Sequence, residues 1–199
     1  MTSPSAALAP DAPVPAPKPA HPFLFLVLFI PFGAVPGFLT VALAYELKKK
    51  GIDTGDIAIV VGLSYVCLLL KWLWAPLVDT LLTRKVWYVG STLLCGLGFW
   101  LAGRAAMGQH PSLVLISAWL TLSNFTATVL AMAVESLMAA TIPDARRGSA
   151  GGWSQAGNLG GQGLGGGLAL WLIESCGFTE AQSGAALGLL CALCCLALR

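Results

Sequence analysis

The chain reads as an all-α polytopic membrane protein with six transmembrane helices. Of its 199 residues, 57% are hydrophobic and 10% charged. A soluble domain of this size carries about 45–50% apolar and about 25% charged residues, so too little charge is present to cover a water-facing surface. The apolar residues also fall in long blocks separated by short polar stretches, as in polytopic membrane proteins. Finally, polar residues in the fourth block recur at helical spacing, a pattern that shelters polar groups between helices. The net charge of +2, with no basic patch, excludes an electrostatic nucleic-acid binder.

Residues 1–22 form a tail with seven prolines and six alanines, charged only at Asp11 and Lys18. Such a segment cannot bury apolar surface and is expected to stay extended or disordered. Ala42-Leu43-Ala44 resembles a signal-peptide cleavage box. The apolar run before it is longer than a signal core and contains Pro31 and Pro36, which argues against processing there. Residues 23–199 hold the six-helix bundle. Its segments run Phe23–Leu47, Ile57–Leu77, Val86–Met107, Ser112–Ile142, Gly152–Ile173 and Gly184–Leu198. At about 1.5 Å per residue most can cross about 30 Å of hydrocarbon, and the last is short.

Orientation rests on basic residues in short loops. With both termini in the cytoplasm, Lys18, Arg84, Lys85, Arg146, Arg147 and Arg199 lie inside, and Lys48, Lys49, Lys50 and Arg104 outside. The lysine triplet opposes this assignment. Trp87, Tyr88 and Trp153 are expected as anchors at one interface, and Tyr45, Trp100 and Trp171 at the other.

In the first segment, Pro31, Gly33, Pro36 and Gly37 predict a kink, either for packing or as a hinge. The second segment carries Lys71, which shares a helical face with Ser64, Cys67 and Ala75. A lysine in an apolar helix costs roughly 2.5–3.5 kcal/mol near the bilayer centre. Lys71 therefore faces a polar interior or snorkels to the headgroups.

The fourth segment places Ser117, Thr121, Asn124, Thr128 and Glu135 on one face, with Ala131 in the gap. Lipid does not tolerate such a stripe, so it faces helices or water. Glu135 and Lys71 lie at similar depth, close enough to interact, Glu135 is a candidate for proton exchange, and Lys71, Asn124, Thr128 and Glu135 are expected to line the substrate or proton pathway. Helix–helix adhesion by hydroxyl and amide groups is the alternative.

In the fifth segment Gly157, Gly161 and Gly165 form a four-spaced ladder for close helix packing. Gly148, Gly152, Ala156 and Gly160 form a second one. No Gly-Lys-Ser/Thr follows, so an ATP-driven pump is unsupported. Asp79, Arg84 and Lys85 in one loop, and Arg146 and Arg147 in another, fall on the predicted cytoplasmic side. They could cluster to close that face, or serve topology alone.

The six cysteines sit in or beside apolar runs without His or carboxylate partners at ligand spacing, so no metal and no cofactor is expected. The only histidines are His21 in the tail and His110 in a loop. No nucleophile–base pair or Gly-x-Ser-x-Gly element suggests an enzyme.

Lys71-Trp72-Leu73-Trp74-Ala75-Pro76-Leu77-Val78-Asp79 resembles the second-helix signature of the AmpG-like muropeptide permeases of the major facilitator superfamily. The run from Ile142 through Arg147 and Gly148 to Leu172 resembles that family's fourth loop and fifth helix. The Asp79…Arg84-Lys85 loop lacks the superfamily's glycine before the basic pair, and Leu130-Ala131 stands where the family often has Gln-Asp. The resemblance implies one six-helix half of a proton-linked secondary transporter, with substrate between two halves at mid-membrane. It implies gating by Asp79, Arg84, Lys85 and Arg147, with Lys71 and Glu135 as polar residues of the bundle. The partners expected are the lipid bilayer of the inner membrane, a small-molecule substrate, and a second six-helix half or a homodimer. A truncated half without independent transport is the alternative.

Overall fold

The structure, a computed structural model, describes residues 21–74 and 83–198. Residues 1–20 of the tail, positions 75–82 with Pro76 and Asp79, and Arg199 lie outside the described residues. Six helices fill the described chain: α1 (Leu24–Lys49), α2 (Thr54–Leu69), α3 (Arg84–Ala106), α4 (Leu113–Thr141), α5 (residues 147–176) and α6 (Glu180–Leu198). No strand occurs among the described residues. By length and composition α1, α3, α4 and α6 are each apolar enough to cross a membrane.

Local chemistry sets the helix starts. The side chains of Asp53, Thr83 and Ser112 accept backbone N–H bonds at the heads of α2, α3 and α4. Thr179 and Gln182 form a reciprocal capping box, which starts α6 at Glu180 rather than at the predicted Gly184. Gly177, at φ 69°, closes α5 in the left-handed conformation that glycine adopts without penalty.

Three segments differ from expectation. The second was read as continuous to Leu77, but α2 ends at Leu69; Leu70, at φ −96° and ψ 8°, breaks it before a helical turn at 71–74. Its 16 residues span about 24 Å, short of the hydrocarbon thickness. In α1 the α-helical turns run through Pro31 and Pro36 and give way to a π turn only at Phe38–Leu43. The α5 helix is interrupted by a second π turn, Leu164–Leu168, which packs against the first.

The two triplets of helices pair in a reciprocal way. The first helix of one packs on the second of the other, α1 on α5 and α4 on α2, while the third helices α3 and α6 pack together. The α3–α4 contact closes the bundle. This is the pairing expected of two inverted three-helix repeats.

Glycine carries the closest approaches. A Cβ added at Gly157, Gly161 or Gly165 would lie closer than 3.0 Å to the carbonyl oxygens of Leu26, Ile30 and Ala34 in α1. From the other side, Gly33 and Gly37 meet the backbones of Asn158 and Gln162. The backbones thus touch along five positions, where dispersion and Cα–H···O contacts act at full strength. Gly96 of α3 faces Gly188 of α6 in the same manner. The second predicted ladder behaves differently: Gly148, Gly152 and Gly160 have nothing within 4 Å. They lie on the opposite face of α5, turned away from α1.

The core has two clusters. One gathers Phe38, Leu39, Phe99, Ile116, Leu120 and Leu187; the other Phe25, Leu28, Tyr88, Leu130 and Val134. Tyr88 is fully buried and donates its hydroxyl to the Leu28 carbonyl at 3.1 Å, so it is a core residue and not the interface anchor expected. Leu69, Val114, Leu159 and Leu189 point outward, an apolar perimeter suited to lipid.

Candidate functional site

The end of the bundle where α1 begins is here termed basal, and the end where α1 finishes apical. The polar stripe of α4 runs between them. Asn124 and Thr128 are buried. Asn124 donates to the Leu120 carbonyl at 3.3 Å, Thr128 to that of Phe125 at 2.6 Å, and Thr121 to that of Ser117 at 2.7 Å. Each of these side chains donates to a carbonyl of its own helix, and at Asn124 and Thr128 the stripe is buried in packing.

The α2 face meets this stripe at two levels. Cys67 Sγ approaches the Thr121 carbonyl at 3.8 Å. Beyond the break at Leu70, Lys71 Nζ donates to both carboxylate oxygens of Glu135, at 3.1 and 3.3 Å. Both side chains of that pair are partly exposed, at 36% and 48%. Trp74 packs edge-on against Phe125, with ring centroids 5.0 Å apart, and fastens the helical residues beyond Leu70 to α4.

Other basal residues divide. Arg84 Nε donates to Ser136 Oγ at 2.8 Å, so a second cation reaches α4 one residue beyond Glu135. Arg147 pairs locally with Asp144 at 2.9 Å, both exposed. Arg146 is exposed in the short 3₁₀ turn Asp144–Arg146. Lys85 lines a shallow open groove with Val86, Val89 and Gly90. Asp79 lies outside the described residues.

At the apical end the structure assembles a cluster that sequence reasoning missed. Lys48 Nζ donates to Thr54 Oγ1 at 2.9 Å, and Lys49 Nζ to Glu174 Oε1 at 2.6 Å. Lys50 forms an ion pair with Glu180 and donates to the Ala106 carbonyl at 2.6 Å. One lysine run therefore ties the end of α1 to α2, α3, α5 and α6. The hydrogen bond from Lys49 holds the Glu174 carboxyl below the usual carboxylate range. Glu46, one turn earlier, is buried beside them. The available signal was that Glu46, Glu174 and Glu180 fall at the same predicted end as the lysine triplet. The triplet was read only as an orientation signal.

The family model of the Major Facilitator Superfamily matches residues 23–199. No curated protein matches the chain, and no solved structure does.

Proposed function

The chain belongs to the major facilitator superfamily and is a membrane transporter of that family; on that premise we propose that it carries out proton-coupled secondary transport of a small, muropeptide-like solute. The observation that carries the proton coupling is the Lys71–Glu135 pair. A half-exposed ion pair is worth about 1 kcal/mol or less, so it opens at little cost. Each pH unit across a membrane supplies about 1.4 kcal/mol per proton, enough to bias such a contact. A proton on Glu135 releases Lys71, and loss of the proton restores the pair. The helical turn at 71–74 is separated from α2 by the break at Leu70, so it can move without unfolding α2.

Substrate binds between two six-helix units at mid-membrane, and rocking of one against the other exposes it to alternate sides. The second unit is a separate six-helix half or a second copy of this chain. Support comes from the face of α5 bearing Gly152, Ala156 and Gly160, which is exposed and smooth. The α1–α5 backbone contact makes those two helices a rigid body that rocks as one. Asp79, Arg84, Lys85, Arg146 and Arg147 act at the cytoplasmic gate, with Arg84 reaching α4 through Ser136. We place the chain in the inner membrane with both termini cytoplasmic.

The test is uptake of a labelled muropeptide-type solute by proteoliposomes with an imposed pH gradient. Uptake that rises with the gradient and collapses on adding a protonophore is expected. Gradient-insensitive uptake contradicts proton coupling. Absence of muropeptide uptake, with gradient-driven uptake of another solute, contradicts the substrate class alone.

A further inference from the structure

Three amides stand on α5 beside its glycine ladders. Gln155, Asn158 and Gln162 follow one another at spacings of three and four, so they share one face. Their side chains are joined: Asn158 Nδ2 donates to Gln155 Oε1 and Gln162 Nε2 to Asn158 Oδ1, both at 3.4 Å. Gln155 is exposed, and Asn158 and Gln162 are partly exposed. At about 1.5 Å per residue Asn158 stands about 16 Å from the start of α5 at Arg147, close to the middle of about 30 Å of hydrocarbon. Acyl chains offer an amide no partner, so a row of three at that depth faces a polar space.

At about 100° per residue the faces of α5 come in a fixed order. Gly157, Gly161 and Gly165 lie against α1. The amides come next. Beyond them is the smooth outward face of Gly152, Ala156 and Gly160, and after it Trp153 and Leu164, apolar and exposed. The amide row therefore runs along the seam between α1 and the second unit seated on the outward face. Each amide has two N–H donors and a carbonyl with two lone pairs, and none carries a charge. The internal links occupy one donor of Asn158 and one of Gln162, so donors and acceptors remain on all three. Such a row matches groups that also donate and accept, and it gives a carboxylate or phosphate no cation. From Gln155 to Gln162 it is about 10 Å long, which suits a succession of hydroxyls rather than a single one.

We propose that Gln155, Asn158 and Gln162 form the solute-binding strip of this unit, and that the part of the solute it takes is an uncharged, hydroxyl-rich chain or ring. The strip deepens the reading of the chain as one wall of a cavity between two units, and rests on it. It selects by hydrogen bonding at mid-membrane, apart from Lys71 and Glu135 at the basal end. The links from Gln155 and Gln162 hold the Asn158 amide from both sides, which reduces the ordering that binding must bring about. Because α5 is locked to α1 backbone to backbone, the strip moves with that pair and carries the bound group as the units rock.

The test is thermal unfolding of the full chain in lipid nanodiscs without a pH gradient. The probes are sorbitol and gluconate, which share a six-carbon hydroxylated chain and differ by one carboxylate. A ligand that binds only the folded state raises the unfolding temperature until its site is full. Saturable stabilisation by sorbitol is expected, above the steady rise that any excluded polyol produces, and none by gluconate. Gln155→Met, Asn158→Leu and Gln162→Met keep side-chain size and remove the amide; each should raise the half-saturating concentration about fivefold or more. Cys176→Ser, at the apical end of α5, should leave it unchanged. Should one of the three fail to fold, Gln155→Asn and Gln162→Asn withdraw the amide by one carbon and should weaken binding likewise. A rise without saturation, equal stabilisation by gluconate, or saturation unchanged in the amide variants overturns the strip. Saturable stabilisation by sorbitol with no solute uptake in proteoliposomes contradicts transport and leaves the strip in place.

Discussion

Lys71 Nζ lies 3.1 Å from Glu135 Oε2, joining the end of the second helix to the last third of the fourth across 64 positions of sequence. The pair sits at the open basal end of a stripe whose middle, at Asn124 and Thr128, is closed. A weak, partly exposed contact next to a buried polar strip suits a switch better than a structural fastening. Removing it should cost little stability. Glu135→Gln and Lys71→Ala are each expected to lower unfolding free energy by under about 1 kcal/mol, with a double-mutant coupling of the same size. Denaturation in detergent micelles measures this; a coupling of several kcal/mol would make the pair structural.

The α5 glycines provide a matched contrast. Gly161→Ala places a Cβ against the Ile30 carbonyl and the Gly33 backbone, neither of which can yield without parting α1 from α5. A loss of about 1–3 kcal/mol is expected from overpacking. Gly160→Ala, one residue away, meets nothing within 4 Å. It should be neutral or stabilise by up to about 1 kcal/mol through helix propensity. Thermal unfolding of the two variants side by side checks the register of the ladder.

The apical lysines should rank by burial. Lys50→Ala leaves Glu180 and the Ala106 carbonyl without their donor in a site where the pair is 19% and 12% exposed, and should cost about 2–3 kcal/mol. Lys49→Ala breaks a pair exposed at 55% and 38% and should cost far less than Lys50→Ala. The Lys49–Glu174 contact also has a pH signature. Because the folded protein depresses the Glu174 carboxyl, its contribution is full above the ordinary carboxylate range and fades as pH falls through the lower, folded value. Melting curves of Lys49→Ala and the unaltered chain should converge on acidification; curves that stay parallel remove the contact from stability.

Cysteine mapping tests the stripe. In a background without native cysteines, Asn124→Cys and Thr128→Cys should resist maleimide from water and quenchers from lipid, since both positions are buried. Glu135→Cys should label from water. Quenching of the two central positions by lipid-borne probes would place the stripe in the acyl phase and contradict the packing described.

Much of this arrangement is legible from spacing alone. Hydrophobic blocks locate six helices, and four-residue recurrence places Gly157, Gly161 and Gly165 on one face because backbone contact demands it. The face of α1 that receives them, Gly33 and Gly37, was visible only as part of a kink signal. What spacing cannot supply is the change of helix type. Pro31 and Pro36 predict distortion, yet the π turn falls after them, at Phe38–Leu43, where α1 meets the π turn of α5. Tertiary contact decides that position. The break at Leu70 likewise has no glycine or proline at its site. The apical cluster escaped because its partners, Lys50 and Glu180, are 130 positions apart and meet only through folding.

Glu135→Gln in proteoliposomes separates transport from its coupling. Solute exchange without a gradient should survive, because a neutral amide copies the protonated acid, while accumulation driven by an inward proton gradient should fall to the level of passive equilibration. Gradient-driven accumulation equal to that of the unaltered chain would show that protons do not pass through this carboxylate.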